Sequence, residues 1–162
     1  MIIDTDDTEE RVRLRFRSDL DRIDAVADRV MRLVEPCGSV GVDTLDVGLA
    51  VREALTNAVV HGNHLDPKKW VHVRARREPG RGVSIVVRDE GQGFDPRSVP
   101  DPISPEAILA THGRGIFIMR ALMDEVLFKH GGAEVCLRKG QVRGLLTPEA
   151  LRSDATCPRG DC

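Results

Sequence analysis

Between residues 11 and 18 the chain reads RVRLRFRS, an unbroken alternation that puts Val12, Leu14 and Phe16 on one face and arginines on the other. A period of two predicts a half-buried strand, here expected at a sheet edge. The period then changes. Leu20, Ile23, Ala27, Val30, Met31 and Val34 recur at helical spacing until Pro36 and Gly38 stop the run, and Ser18 with Asp21 reads as a capping box. A second helix is predicted over 43–62, ending at the Gly62-Asn63 pair. WVHVRARR and GVSIVVRD alternate again on either side of Pro79-Gly80-Arg81-Gly82, which predicts a hairpin. GIFIMRALM, residues 115–123, predicts a short apolar helix, and DEVLFKHGGAEVCLRKG predicts two last strands joined through Gly131-Gly132.

This order, β-α-α-β-β-loop-α-β-β, sets runs of helices against an antiparallel or mixed sheet. The expected fold class is therefore α+β, a two-layer sandwich with a mixed, mostly antiparallel sheet covered by helices on one face. With 162 residues, 41% of them hydrophobic, one domain with a real core is expected. Its bounds are read as residues 10–140, after an acidic leader (1–9) and before a polar tail (141–162) that has no period and is expected to fray.

The second helix carries the first candidate chemistry. At about 100° per residue, a step of four returns a side chain to within roughly 40° of its start. Asp46, Glu53, Asn57 and His61 thus form one polar stripe on a helix that is apolar in most other directions. Such a helix is expected to be buried. Buried acids and amides are costly without partners, so Glu53 and Asn57 point either to capping of a neighbouring backbone or to a hydrated cation or polar ligand. His61, at the helix end, reads as a cap or packing residue. Trp70, the only tryptophan, reads as core or dimer surface.

Two glycine boxes add to this. Asp89-Glu90-Gly91-Gln92-Gly93-Phe94-Asp95 directly follows a strand. A carboxylate at a strand end can accept from an amino group, while the glycines let backbone approach a flat ligand. His112-Gly113-Arg114-Gly115 opens the short apolar helix, and exposed N–H groups at a helix N-terminus suit phosphate. Neither a P-loop nor a dinucleotide fingerprint fits these boxes. The stretch between them is long for a compact domain, which marks it as functional.

Taken in order, ExxxN on a helix, DxGxG after a strand, a long loop and GxG opening a helix resemble the GHKL nucleotide-binding superfamily. The wording REALTNAVVHGN, RDEGQGFDP and GRGIFIMRALMDEV is similar to the anti-sigma-factor serine kinases of the RsbW and SpoIIAB type, over about residues 10–139. The resemblance implies the Bergerat ATP-binding fold, ATP and Mg²⁺ as cofactors, and serine kinase activity on an anti-sigma-factor antagonist that controls a sigma factor. It implies Glu53 as general base, Asn57 as the Mg²⁺ ligand and Asp89 as reader of the adenine amino group. Gly91, Gly93 and Phe94 would shape the pocket. Gly113, Arg114 and Gly115 would cradle the phosphates under a lid from about Pro96 to His112, with Ile116 also among the nucleotide-binding residues. Two departures stand out: Thr111-His112 where relatives often carry a basic residue, and Gly132-Ala133 where they often carry Gly-Thr. An alternative keeps the ATP site but makes nucleotide only a conformational ligand for partner switching, without phosphotransfer.

Charge and cysteines change the picture little. A net charge of −2, from 24 basic and 26 acidic residues, gives no electrostatic footprint for nucleic acid or an anionic membrane. No apolar run approaches a membrane span and the start is acidic, so a cytoplasmic protein is expected. Cys37, Cys136, Cys157 and Cys162 match no common zinc spacing. The strand at Val12–Phe16, with its exposed edge and adjoining helix, leads to the expectation of a homodimer.

Overall fold

The computed structural model describes residues 2–8, 10–35, 42–78, 81–93 and 114–140. Six strands make one sheet: β1 (Ile2–Thr8), β2 (Arg11–Arg17), β3 (Trp70–Glu78), β4 (Gly82–Arg88), β5 (Glu125–Lys129) and β6 (Glu134–Gly140), in the order β1-β2-β3-β4-β6-β5. Three helices accompany it: α1 (Ile23–Val34), α2 (Thr44–Thr56) and α3 (Arg114–Leu122). The expected α+β sandwich is thus observed. The mostly antiparallel sheet that was expected is antiparallel in every strand pairing among the described residues.

The alternation builds the core directly. Phe16 faces Val71, Leu14 faces Val73 and Val12 faces Ala75, while Val73 and Ala75 face Val87 and Ile85 of β4. All of these are buried, and they pack with Val26, Val30 and Val34 of α1 and Val47, Val51 and Leu55 of α2 in one cluster. The opposite face of the sheet is arginine-rich, with Arg13 opposite Arg74 and Arg15 opposite His72. Arg15 and Arg17 lie over the Trp70 ring, 4.7 and 3.9 Å from its centroid. Trp70 is therefore not core but a cation–π partner on the face away from the helices.

Four local expectations are corrected. The stretch read as an acidic leader contains β1, which pairs with β2 from Ile2 to Thr8, so β2 is an interior strand rather than an edge. Backbone pairing, which is indifferent to side-chain charge, outweighs the poor strand propensity of aspartate there. The cap before α1 is Asp19, whose carboxylate accepts from the Asp21 amide at 3.1 Å. Ser18 instead is buried and donates to the Val59 carbonyl at 3.4 Å. Finally, α2 is not buried all round: Leu45 and Leu49 are 83% and 47% exposed. They precede Glu53 on its stripe at steps of four, so the N-terminal end of that stripe is open, while Glu53 and Asn57 are half-buried.

The lid from Pro96 to His112, Phe94, Gly113, Cys37, Cys157, Cys162 and the tail from residue 141 lie outside the described residues.

Candidate active site

Asp43 starts α2, accepting from the amides of Leu45 at 2.8 Å and Asp46 at 3.3 Å. This fixes the helix phase and so the direction of Glu53 and Asn57. At Asn57 the helix widens into a π-helical turn, Asn57–Gly62, closed by the Asn63 amide donating to Ala58 at 2.8 Å. The extra residue per turn rotates His61 and Gly62 relative to an α-helix. Asp46, the far end of the predicted stripe, is drawn away to Lys139, at 3.6 Å, and belongs to the scaffold. That lysine also donates to the Leu122 carbonyl at 2.6 Å, tying α2, α3 and β6 together.

Glu53 and Asn57 face the first turn of α3. A Cβ on Gly115 would fall 2.6 Å from Glu53 Oε2 and 3.1 and 3.2 Å from Asn57 Nδ2 and Oδ1. Glycine is needed at this position for acid and amide to reach the helix backbone.

Asp89 stands where β4 ends, as the sequence predicts. Its amide donates to Ala133 O at 3.0 Å, and its Oδ1 accepts from the Gly91 amide at 2.8 Å. The carboxyl packs on Gly62, where a Cβ would sit 2.3 Å from Cγ, and a Cβ on Gly91 would sit 2.1 Å from the Gly62 carbonyl oxygen. Gly93, at φ +77°, closes against Gly131, whose carbonyl oxygen leaves only 2.0 Å for a Cβ. The Gly-Ala departure at 132–133 thus falls on a segment that serves Asp89 through its backbone.

Asn57, Asp89, Gly93 and Ile116 line one cleft, with a cavity volume of about 230 Å³. His61, Gly62 and Gly132 complete its rim, and Ala54, Ala58, Val87, Met119, Phe128 and Val135 give it an apolar bed. An apolar slot with few polar groups at its margins suits a flat heterocycle. Glu53 and Gly115 stand beside Asn57, and Gly91 acts through Asp89. Arg114 opens α3 and is exposed. The apolar bed was missed in the sequence, although Met119 follows Ile116 at i+3 and Phe128 and Val135 belong to apolar runs predicted as strands.

Burial pushes the Asp89 carboxyl above its ordinary value, and the Gly91 amide and Lys69 only partly offset this. His72 lies 3.7 Å from Glu90, yet desolvation holds its imidazole below the usual range, so at neutral pH this contact is not an ion pair. Cys136 is buried and its thiol is pushed up to about 11, first by desolvation and then by Glu134.

Residues 6–139 match the family described as "Histidine kinase-like ATPase domain". The chain belongs to this family. Within the family it is similar to the anti-sigma F factor of Geobacillus stearothermophilus, 37% identical over 101 residues covering 58% of this chain and 67% of that protein. It is also similar to the serine-protein kinase RsbW of Bacillus licheniformis, 39% identical over 90 residues (52% of this chain, 56% of that one). The Bacillus subtilis (strain 168) kinase of the same name is 34% identical over 101 residues, 58% and 62% of the two chains. The chain thus spans between about half and two thirds of the curated relatives it matches. A histidine kinase-like ATPase domain binds ATP, and the resemblance read from the motifs is the one these comparisons return. Among the described residues no helix is long and apolar enough to cross a membrane.

Proposed function

We propose that this histidine kinase-like ATPase domain is an anti-sigma factor with serine kinase activity. It uses ATP to phosphorylate a serine of an antagonist protein and so controls a sigma factor in the cytoplasm. The names of its relatives support the partners, and the placement of Glu53 and Asn57 against the first turn of α3 supports the chemistry. Asp89 accepts from the adenine amino group, with the base on the apolar bed of the cleft. The phosphates then lie toward α3, whose N-terminal amides and dipole favour anions.

The donors at this end of the cleft, the Asn57 amide oxygen with the Glu53 carboxylate beside it, suit a hard, hydrated cation. Asn57, with phosphate oxygens and waters, would hold Mg²⁺, which neutralises charge on the transferring phosphoryl group. Glu53 takes the proton of the antagonist's serine hydroxyl. A P–O bond forms between that oxygen and the γ-phosphorus, the bond to the β,γ-bridging oxygen breaks, and ADP leaves.

A general base acts in the transition state, whereas base and cation contacts already act in the ground state. Glu53→Gln is therefore expected to bind ATP nearly as tightly as the parent and to transfer phosphate at least about a hundredfold more slowly. Mass spectrometry of antagonist phosphoserine, beside ATP titration, checks this. A parent that forms no phosphoserine, matched by Glu53→Gln in every assay, supports the nucleotide-dependent partner switch without transfer.

We further propose a homodimer. With β2 interior, the sheet edges are those of β1 and β5, and the proposed dimer uses the β1 edge.

A further inference from the structure

Asn63 lies outside every motif used above, and it is wholly buried, at 0% exposure. Both ends of its amide are engaged. Nδ2 donates to the Trp70 carbonyl at 3.0 Å, and Oδ1 accepts from the Glu90 amide at 2.9 Å. The partners fix the orientation of the side chain, because a backbone N–H only donates and a carbonyl only accepts. A primary amide is the side chain that supplies donor and acceptor at this reach: ionised Asp lacks the donor, and Gln is one methylene longer.

These bonds converge on Asp89. The next residue, Glu90, is held by Asn63 through its amide, while its Oε2 accepts from the Trp70 amide at 2.9 Å. Asp89 itself is tied to Ala133 on the other side. Asn63 also closes the π-helical turn that presents Gly62 to the Asp89 carboxyl. The residues after it, His64 and Leu65, are both left-handed at φ +55° and +58°, a strained pair that persists only where neighbouring bonds over-determine the backbone. Asn63 is thus the junction between the end of α2, the start of β3 and the end of β4.

We propose that Asn63 is a positioning residue for nucleotide base selection, holding the Asp89 carboxylate at the place where it distinguishes an amino group from a carbonyl on a purine. The inference rests on the reading of Asp89 as the adenine contact. The Asn63 side chain touches no ligand; it acts through the Glu90 peptide.

The test compares ATP with inosine triphosphate, which carries a carbonyl where adenine carries its amino group. Affinities are measured by calorimetric titration on the full chain. The parent is expected to prefer ATP. Asn63→Ala should weaken ATP about tenfold, which is ~1.4 kcal/mol, and change inosine triphosphate less than about twofold, so that the preference collapses. Equal weakening of both nucleotides would mean a general structural role, and an unchanged preference would mean no role; either overturns the proposal. Asn63→Ser, which keeps a hydroxyl in the core but loses the reach to Glu90, is measured beside it and should also lose the preference. If neither variant folds, Asn63 serves the fold alone and the proposal fails. Asp89→Asn runs in parallel. If that variant keeps the full preference for ATP, the reading of Asp89 is wrong; if it loses the preference while the Asn63 variants keep it, only the present inference falls.

Discussion

Asp89 illustrates how a candidate site residue works against the fold that holds it. Its native carboxyl keeps a proton to higher pH than the unfolded one, because burial penalises the charge. The native state then binds more protons than the unfolded state as pH rises from the ordinary value of 3.8, so this group's contribution to stability falls with rising pH through that window. Asp89→Asn is therefore expected to melt at or above the parent's temperature at about pH 7 without nucleotide, with the difference vanishing near pH 4. In the same variant ATP affinity should fall about tenfold or more. Thermal melts at the two pH values with ATP titrations check both halves, and a destabilised variant with unchanged affinity would reverse the assignment. Glu53, Asn57 and Asp89 could be singled out as candidates in the sequence because each is a chemically expensive residue on a predicted element. Asn63 was legible only as a helix end. Its partners lie 7 and 27 residues away, and no local pattern encodes them.

At the scale of elements, the end of α2 decides the geometry of the cleft. Helical periodicity placed Glu53 and Asn57 on one stripe, and the structure keeps them together. It also predicted that His61 continues the stripe in α-helical phase and that Asp46 begins it. The π-helical turn alters the first, and the Lys139 ion pair removes the second. Gly62 pays most directly for any change here. With a Cβ 2.3 Å from Asp89 Cγ, Gly62→Ala must displace the carboxyl or the turn. A loss of about 1–3 kcal/mol of stability is expected, together with weaker ATP binding. Denaturant unfolding and nucleotide titration measure the two effects, and a variant unchanged in both would show that the packing of Gly62 on Asp89 is not needed.

For the whole molecule, the consequential surprise is β1. A start of alternating acids and threonines has little apolar signal, yet it supplies the outermost strand of the sheet, and Ile2 packs against the core. Its outer edge is the surface on which the proposed homodimer depends. Light scattering of the full chain at micromolar concentration is expected to give twice the 17.9 kDa of one copy. Deleting residues 1–8 should shift the mass to a single copy and lower the melting temperature, since β2 then becomes an exposed edge. A single-copy mass for the full chain would count against the dimer.

By itself the sequence determined the strands and helices with strict periods, the α+β class and the order of the three motifs that carry the family resemblance. These follow from short-range rules: a period of two or 3.6, and glycine where backbone must approach closely. The tertiary structure alone decided which residues form the cleft's apolar bed, that Glu53 and Asn57 meet the first turn of α3, that β1 joins the sheet, and that the Asn63 amide joins Trp70 to Glu90. Each of these depends on contacts between segments distant in the chain, where packing and hydrogen-bond satisfaction override local propensity.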